Sequence, residues 1–232
     1  MAGGAITTVD RALAASGNGC ATTLRTPVLE QLVKSVAPSR RLVRTVQDRS
    51  EVVFVTAGTG LLRLEGAEHP LTPETAAFVP AREDAELEAS ADEALELLVV
   101  RTPGDERADP ARPTTVSLAE REAEDAGIGR EFRLLVGPEH GLRSATQFVG
   151  YVPPGRARMH NHPYDEVAYV LEGEGVVHWR DGESVPVERG SCIHFPRLVF
   201  HSLENVGDRP IRIMGVFHPA GSPADRVDVL DY

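Results

Sequence analysis

Asp165-Glu-Val-Ala-Tyr-Val-Leu-Glu-Gly-Glu-Gly175 is a second version of Ser50-Glu-Val-Val-Phe-Val-Thr-Ala-Gly-Thr-Gly60. A glutamate, two valines, an aromatic residue and both glycines recur at matching places. Working outward, Phe78-Val79-Pro80 parallels His194-Phe195-Pro196, and Leu95-Glu-Leu-Leu-Val-Val-Arg-Thr-Pro103 parallels Ile211-Arg-Ile-Met-Gly-Val-Phe-His-Pro219. The matches keep their order and nearly their offset, which marks an internal duplication. Each copy consists of short runs of Val, Ile, Leu and aromatic residues punctuated by Gly and Pro, the pattern of antiparallel strands closed into a sandwich or barrel. The expected fold class is all-β, with two tandem barrels.

The boundaries follow from composition. Residues 1–25 are small and polar and read as a flexible arm or an extra edge strand. The first barrel takes 26–104, and 105–126 is a linker. Its polar, proline-rich beginning runs on from Thr102 to Pro113, and Leu118 to Ala126 reads as a short acidic helix or an irregular connector. The second barrel takes 127–232. The 21 glycines and 17 prolines of this 232-residue chain suit such a turn-rich β protein.

Twenty-four basic against 35 acidic side chains give a formal charge of −11, which argues against nucleic acid or an anionic membrane as partner. No run has the length of a membrane span, and the N-terminus lacks a basic stretch followed by an apolar one, so a soluble, cytoplasmic protein is expected. The two cysteines, Cys20 and Cys192, suggest neither a disulfide framework nor a zinc ribbon.

The eight histidines are unevenly spread: His69 lies in the first copy, and His140, His160, His162, His178, His194, His201 and His218 in the second. Similar cores do not explain that bias. The sharpest signal is Gly155-Arg-Ala-Arg-Met-His160-Asn-His162-Pro-Tyr-Asp-Glu166, continuing to Gly173. On a strand, residues i and i+2 share a face, so His160 and His162 can converge on one ion. Pro163 breaks the strand, a tight connection follows, and Glu166 opens the next strand beside the imidazoles. Gly173 permits the bend a small barrel needs. His201 comes from Gly190-Ser-Cys-Ile-His-Phe-Pro196-Arg-Leu-Val-Phe-His201-Ser-Leu-Glu-Asn205, where a strand ends at Pro196 and returns after a turn. Three neutral imidazoles and a carboxylate suit one divalent Mn, Fe, Co, Ni, Cu or Zn ion, with coordination positions left open.

These two segments resemble the paired motifs of the cupin superfamily, the double-stranded β-helix or jelly-roll barrels. The first motif, HxH followed by Glu and Gly, is nearly complete. The second keeps Pro196, His201 and Asn205 but has Leu198 in its usual glycine position, a departure in turn geometry and not in a ligand. The resemblance implies a bicupin whose C-terminal barrel holds a metal on His160, His162, Glu166 and His201. The first copy is degenerate: Glu51 matches Glu166, but Thr45 and Gln47 stand for His160 and His162, and Ala85 and Ala89 for His201 and Asn205. It is expected to be structural, with an apolar or occluded interior.

Fold does not dictate reaction. A three-His, one-Glu metal can bind oxygen beside a chelating substrate, as cupin dioxygenases do, and a metal-dependent dioxygenase acting on a small organic molecule is the leading expectation. The alternatives are a non-redox isomerase, cyclase, decarboxylase or hydrolase using the ion as a Lewis acid, or a module that binds a metal or small ligand without catalysis. Tyr151, Arg158, His178 and His194 are the candidates for proton transfer or catalysis; a binding role gains if none lines the cavity. Arg156, Tyr169 and Cys192 are candidates for contacting substrate, an arginine suiting an anion. His194 and Cys192 share a strand face, and of His178 and Trp179 one must face inward; spacing leaves both orientations open. A homodimer is expected by resemblance.

Overall fold

Val52, Val53, Phe54 and Val55 are at most 1% exposed, as are Val167, Ala168 and Val170. Strands covered on one face alternate apolar with polar residues; these do not, because both their faces are covered. The computed structural model, which describes residues 4–8, 19–45, 48–105, 114–127 and 129–228, shows what covers them. Each repeat folds into a wide and a narrow antiparallel sheet with apolar side chains between them, and the two wide sheets pack back to back.

In the first barrel the wide sheet contains Thr75–Val79, Arg49–Ala57, Leu95–Pro103 and Glu30–Val36 in that order, with Thr115–Ser117 on one edge and Cys20–Arg25 on the other. Val53, Val55, Leu97 and Val99 point from it toward Leu62, Leu64, Leu87 and Ala89 of the narrow sheet. In the second barrel, Ser191–Phe195, Asp165–Glu172, Ile211–His218 and Thr146–Val152 form the wide sheet. Ala168, Val170 and Ile213 face Val177, Trp179 and Leu203 across that interior. The alternate residues Val167, Tyr169, Cys192, Met214 and Val216 meet Val52, Phe54, Phe78 and Leu98 of the first barrel in a shared core. At roughly 1.5–3 kcal/mol per large apolar side chain, this seam binds the barrels into one body.

The N-terminal arm supplies edge strands to both barrels. Ile6–Thr8 pairs with Ser191–Phe195 in the second, and Cys20–Arg25 with Glu30–Val36 in the first. The expected acidic helix in the connector is a single 3-10 turn, Leu118–Glu120, followed by the strand Glu124–Gly127. Residues 106–113 of the linker lie outside the described residues. No helix among the described residues is long and apolar enough to cross a membrane.

Strand register corrects the alignment of the degenerate copy. His160 pairs with His201 in the second barrel, and Ala85, the counterpart of His201, pairs with Arg44 in the first. Arg44, not Thr45, therefore takes the position of His160; Gln47 lies outside the described residues. The Arg44 side chain turns inward, 4% exposed, onto the fully buried carboxylate of Glu51. Arg101 Nε donates to Glu51 Oε1 at 2.9 Å, and Arg101 Nη1 reaches Glu30 Oε2 at 3.0 Å. The interior, expected to be apolar or occluded, is apolar between the sheets and is filled at this level by a charged cluster. A guanidinium tethered to the backbone faces the carboxylate that matches Glu166.

Candidate metal centre

His160, His162 and His201 come together inside the second barrel. One ligand-type atom from each lies within 4.8 Å of the others, and all three residues are buried. Ring centroids are 5.0 Å apart for His160 and His162 and 4.7 Å for each pairing with His201. The i, i+2 spacing on an extended segment and the cross-strand pairing with His201 produce this triangle.

Backbone carbonyls orient two of the rings. His160 Nδ1–H donates to the Arg158 carbonyl at 2.8 Å, and His201 Nδ1–H to that of Val199 at 2.9 Å. A carbonyl only accepts, so Nδ1 carries the proton in each and Nε2 keeps its lone pair as a ligand. The third ring, His162, has a buried Nδ1 with no hydrogen-bond partner, 3.3 Å from Glu166 Oε2. Burial drives the pKa of His160 down to about 4 and that of His201 to about 3. Burial, with the neighbouring His201, holds His162 well below the ordinary imidazole range. All three are neutral at neutral pH, the form a metal binds. Burial pushes the Glu166 carboxyl up to about 8, while Arg130 pulls it back.

Glu166 lines the same cavity but is not part of the close triad of nitrogens. Gly215 gives its carboxylate room: a Cβ there would sit 2.4 Å from the Phe148 ring and 3.2 Å from Glu166 Oε1. Orphaned His162 Nδ1, two imidazoles with their proton-free nitrogens left for a cation and a buried carboxylate alongside fit a divalent transition metal. Leu198 occupies the motif's glycine position at φ +61° and donates its N–H to the His162 carbonyl at 2.9 Å, so the turn keeps its form in spite of the side chain. Asn205 is a turn clamp: its Nδ2 donates to the carbonyls of Val152 and Arg209, and its Oδ1 accepts from Gly207 N–H.

The cavity above the imidazoles, about 70 Å³, is walled by Phe132, Phe148, Phe195, Leu203 and Ile213. Most of the outer candidates lie elsewhere. His178 is on the outer face of its sheet, between Ser184 Oγ at 2.8 Å and Glu204 Oε2 at 2.7 Å; Trp179 points inward in its place. His194 faces away from the interior and pairs with Asp165 at 2.8 Å. Cys192 and Tyr169 belong to the core between the barrels, because strand parity puts them on the face opposite Glu166 and Ile193. Arg156 and Arg158 are exposed along a neighbouring groove outside the metal cavity. Tyr151 borders the cavity, but its ring packs against the inter-barrel core and lies 5.7 Å from the Arg212 guanidinium.

Sequence reasoning missed three cavity residues. Tyr164 stacks on His162 at 4.8 Å and on Phe217 at 4.0 Å, and burial raises its pKa, so the phenol stays protonated. Its place between Pro163 and Asp165 made it look like part of a turn. Arg130 and Arg226 enter from segments far from the motifs, where no spacing marks them.

Two barrels of this topology with a histidine triad in one interior define a class of protein, and the chain belongs to the cupin superfamily. The cupin domain family matches residues 148–217, and the AraC-like ligand binding domain family residues 37–138. The chain is 34% identical over 105 residues to the uncharacterized protein MJ1618 of Methanocaldococcus jannaschii, covering 44% of this chain and 80% of that protein. It is 37% identical over 70 residues to a gentisate 1,2-dioxygenase of Streptomyces, covering 30% of this chain but 19% of that enzyme. Among solved structures, a Bacillus subtilis oxalate decarboxylase mutant superposes with a TM-score of 0.70 at 16% identity, over 99% of this chain and 76% of that one. A cupin 2 conserved barrel domain protein from Leptotrichia buccalis does so with 0.66 at 15%, over 94% and 98%. At these identities the structural likeness shows the shared fold.

Proposed function

We propose that this protein is a metal-dependent enzyme of dioxygenase type, acting on a small organic molecule in the C-terminal barrel. The observation that carries it is the buried triad of neutral imidazoles, His160, His162 and His201, at the base of an apolar cavity. Glu166, beside His162, is the fourth ligand. A redox-active divalent ion held there supplies the open coordination positions and electrons of oxygen chemistry. The partial likeness to gentisate 1,2-dioxygenase, over 70 residues of this chain, supports the oxygenase reading. The chain's own residues do the rest. Phe132, Phe148, Phe195 and Ile213 exclude water, and the Arg158 and Val199 carbonyls hold two rings in their ligand tautomer. Tyr164, its phenol kept protonated by burial, lines the cavity as a hydrogen-bond donor, whereas His178 and His194 lie outside it.

Elemental analysis of protein purified from its native host tests the proposal. Close to one iron, copper or manganese per chain, lost in His162→Ala, is the expected result. Zinc in its place moves the reading to isomerase, cyclase or hydrolase chemistry. Stoichiometric metal in the His160→Ala, His162→Ala double variant refutes the site.

A further inference from the structure

Arg130 lines the metal cavity from the strand Arg130–Leu134, and its Nη2 is buried without a hydrogen-bond partner. Leaving a charged donor unpaired in an apolar pocket is costly, and burial already presses the Arg130 pKa down to about 10. Its positive charge bears on all three histidines and on Glu166. Arg226 lines the same cavity and pairs through Nε with Asp228 Oδ1 at 3.2 Å.

Charge balance points in one direction. A divalent ion on three neutral imidazoles and one carboxylate keeps one positive charge. Arg130 and Arg226 each add another, Asp228 offsets Arg226, and the carboxylate of Glu131, exposed at the cavity's edge, stands against the remainder, so one positive charge is left over. Glu166, once it serves the metal, no longer compensates Arg130. A largely apolar cavity with this surplus favours an anion, and the planar guanidinium fork matches a carboxylate. The cavity, about 70 Å³ and open on one side, has room for a small ligand.

We infer that Arg130, backed by Arg226, anchors a carboxylate of the substrate, so that the site takes small organic acids in preference to neutral molecules of the same shape. The inference rests on the metal-site reading and names its substrate class. Arg130 here positions substrate and takes no part in bond making.

Glycolate and its neutral isostere glycolamide are suitable probes, titrated calorimetrically into protein of measured metal content. The wild type is expected to bind glycolate at least about tenfold more tightly than glycolamide. Arg130→Gln should cut that preference sharply with metal content unchanged, the bound ion keeping its own share of it. Arg130→Met, which suits the apolar walls, replaces Arg130→Gln if the latter does not fold. Equal affinity for the two probes in the wild type, or a preference undiminished by loss of Arg130, overturns the inference. The same titration on metal-free protein separates the two claims. An Arg130-dependent preference in protein that never retains metal refutes the metal site and keeps the anion anchor. Retained metal with binding indifferent to Arg130 does the reverse.

Discussion

Replacing Arg44 by Met tests whether the first barrel carries a tethered cation where the second carries histidine. Glu51 is wholly buried, and Arg44, 4% exposed, is in contact with its Oε2. Removing one partner of a buried ion pair strands the other charge, at a cost of about 3–5 kcal/mol. Arg101 still donates to Glu51 Oε1 at 2.9 Å, but that side chain is 30% exposed and shared with Glu30. The lower end, about 3 kcal/mol, is therefore expected. With a urea slope near 3 kcal/mol per molar, the unfolding midpoint should fall by about 1 M. The double variant Arg44→Met, Glu51→Met removes both charges and should recover most of the loss, because apolar replacement of a buried pair is often neutral. Metal content of the second barrel should not change in either variant. A midpoint shift below about 0.3 M for Arg44→Met, or a double variant less stable than the sum of the singles, refutes the buried pair.

Two further outcomes follow from the geometry. Leu198 sits at φ +61° and is 59% exposed, so a side chain that buries little is held in the left-handed region. Relief of about 1–2 kcal/mol of backbone strain, less about 0.4–1 kcal/mol of unfolded-state entropy, makes Leu198→Gly more stable by about 0.5–1 kcal/mol; a urea midpoint at or below wild type contradicts this. Burial, with Arg44 nearby, lowers the Lys34 pKa from 10.5 to about 8. Between those values the unfolded chain binds the proton and the folded chain has released it, so stability rises with pH across that window, by up to about 3 kcal/mol. Lys34→Met should be the more stable protein near pH 7 and lose its advantage toward pH 10.5 in paired denaturation curves. A constant difference across the window would show that Lys34 does not titrate as described.

Much of the fold was legible in the chain. The repeated Glu-Val-x-aromatic-Val run and its glycines marked two copies of one β unit, because turn chemistry and apolar runs are local properties of sequence. The histidine triad was legible for the same reason: i, i+2 spacing on a strand and a returning strand after Pro196 leave few geometries. Tyr169 and Cys192 show where local reading fails. In a strand buried on both faces, apolar character does not tell the interior of a barrel from the seam between barrels, and the seam exists only once two wide sheets meet. His194 and His178 fell on the outward side for the same parity reason.

Arg44 required a one-residue change of register that strand pairing alone could reveal. Arg130, Arg226 and Tyr164 required the closed cavity. The sequence by itself determined the duplication, the all-β class and the histidines, because each depends on periodicity and spacing along a strand. The tertiary structure decided which faces look inward, that a guanidinium stands in the first barrel where the second has His160, and which arginines reach the cavity. Those outcomes depend on long-range register and sheet packing, which no short stretch of chain encodes.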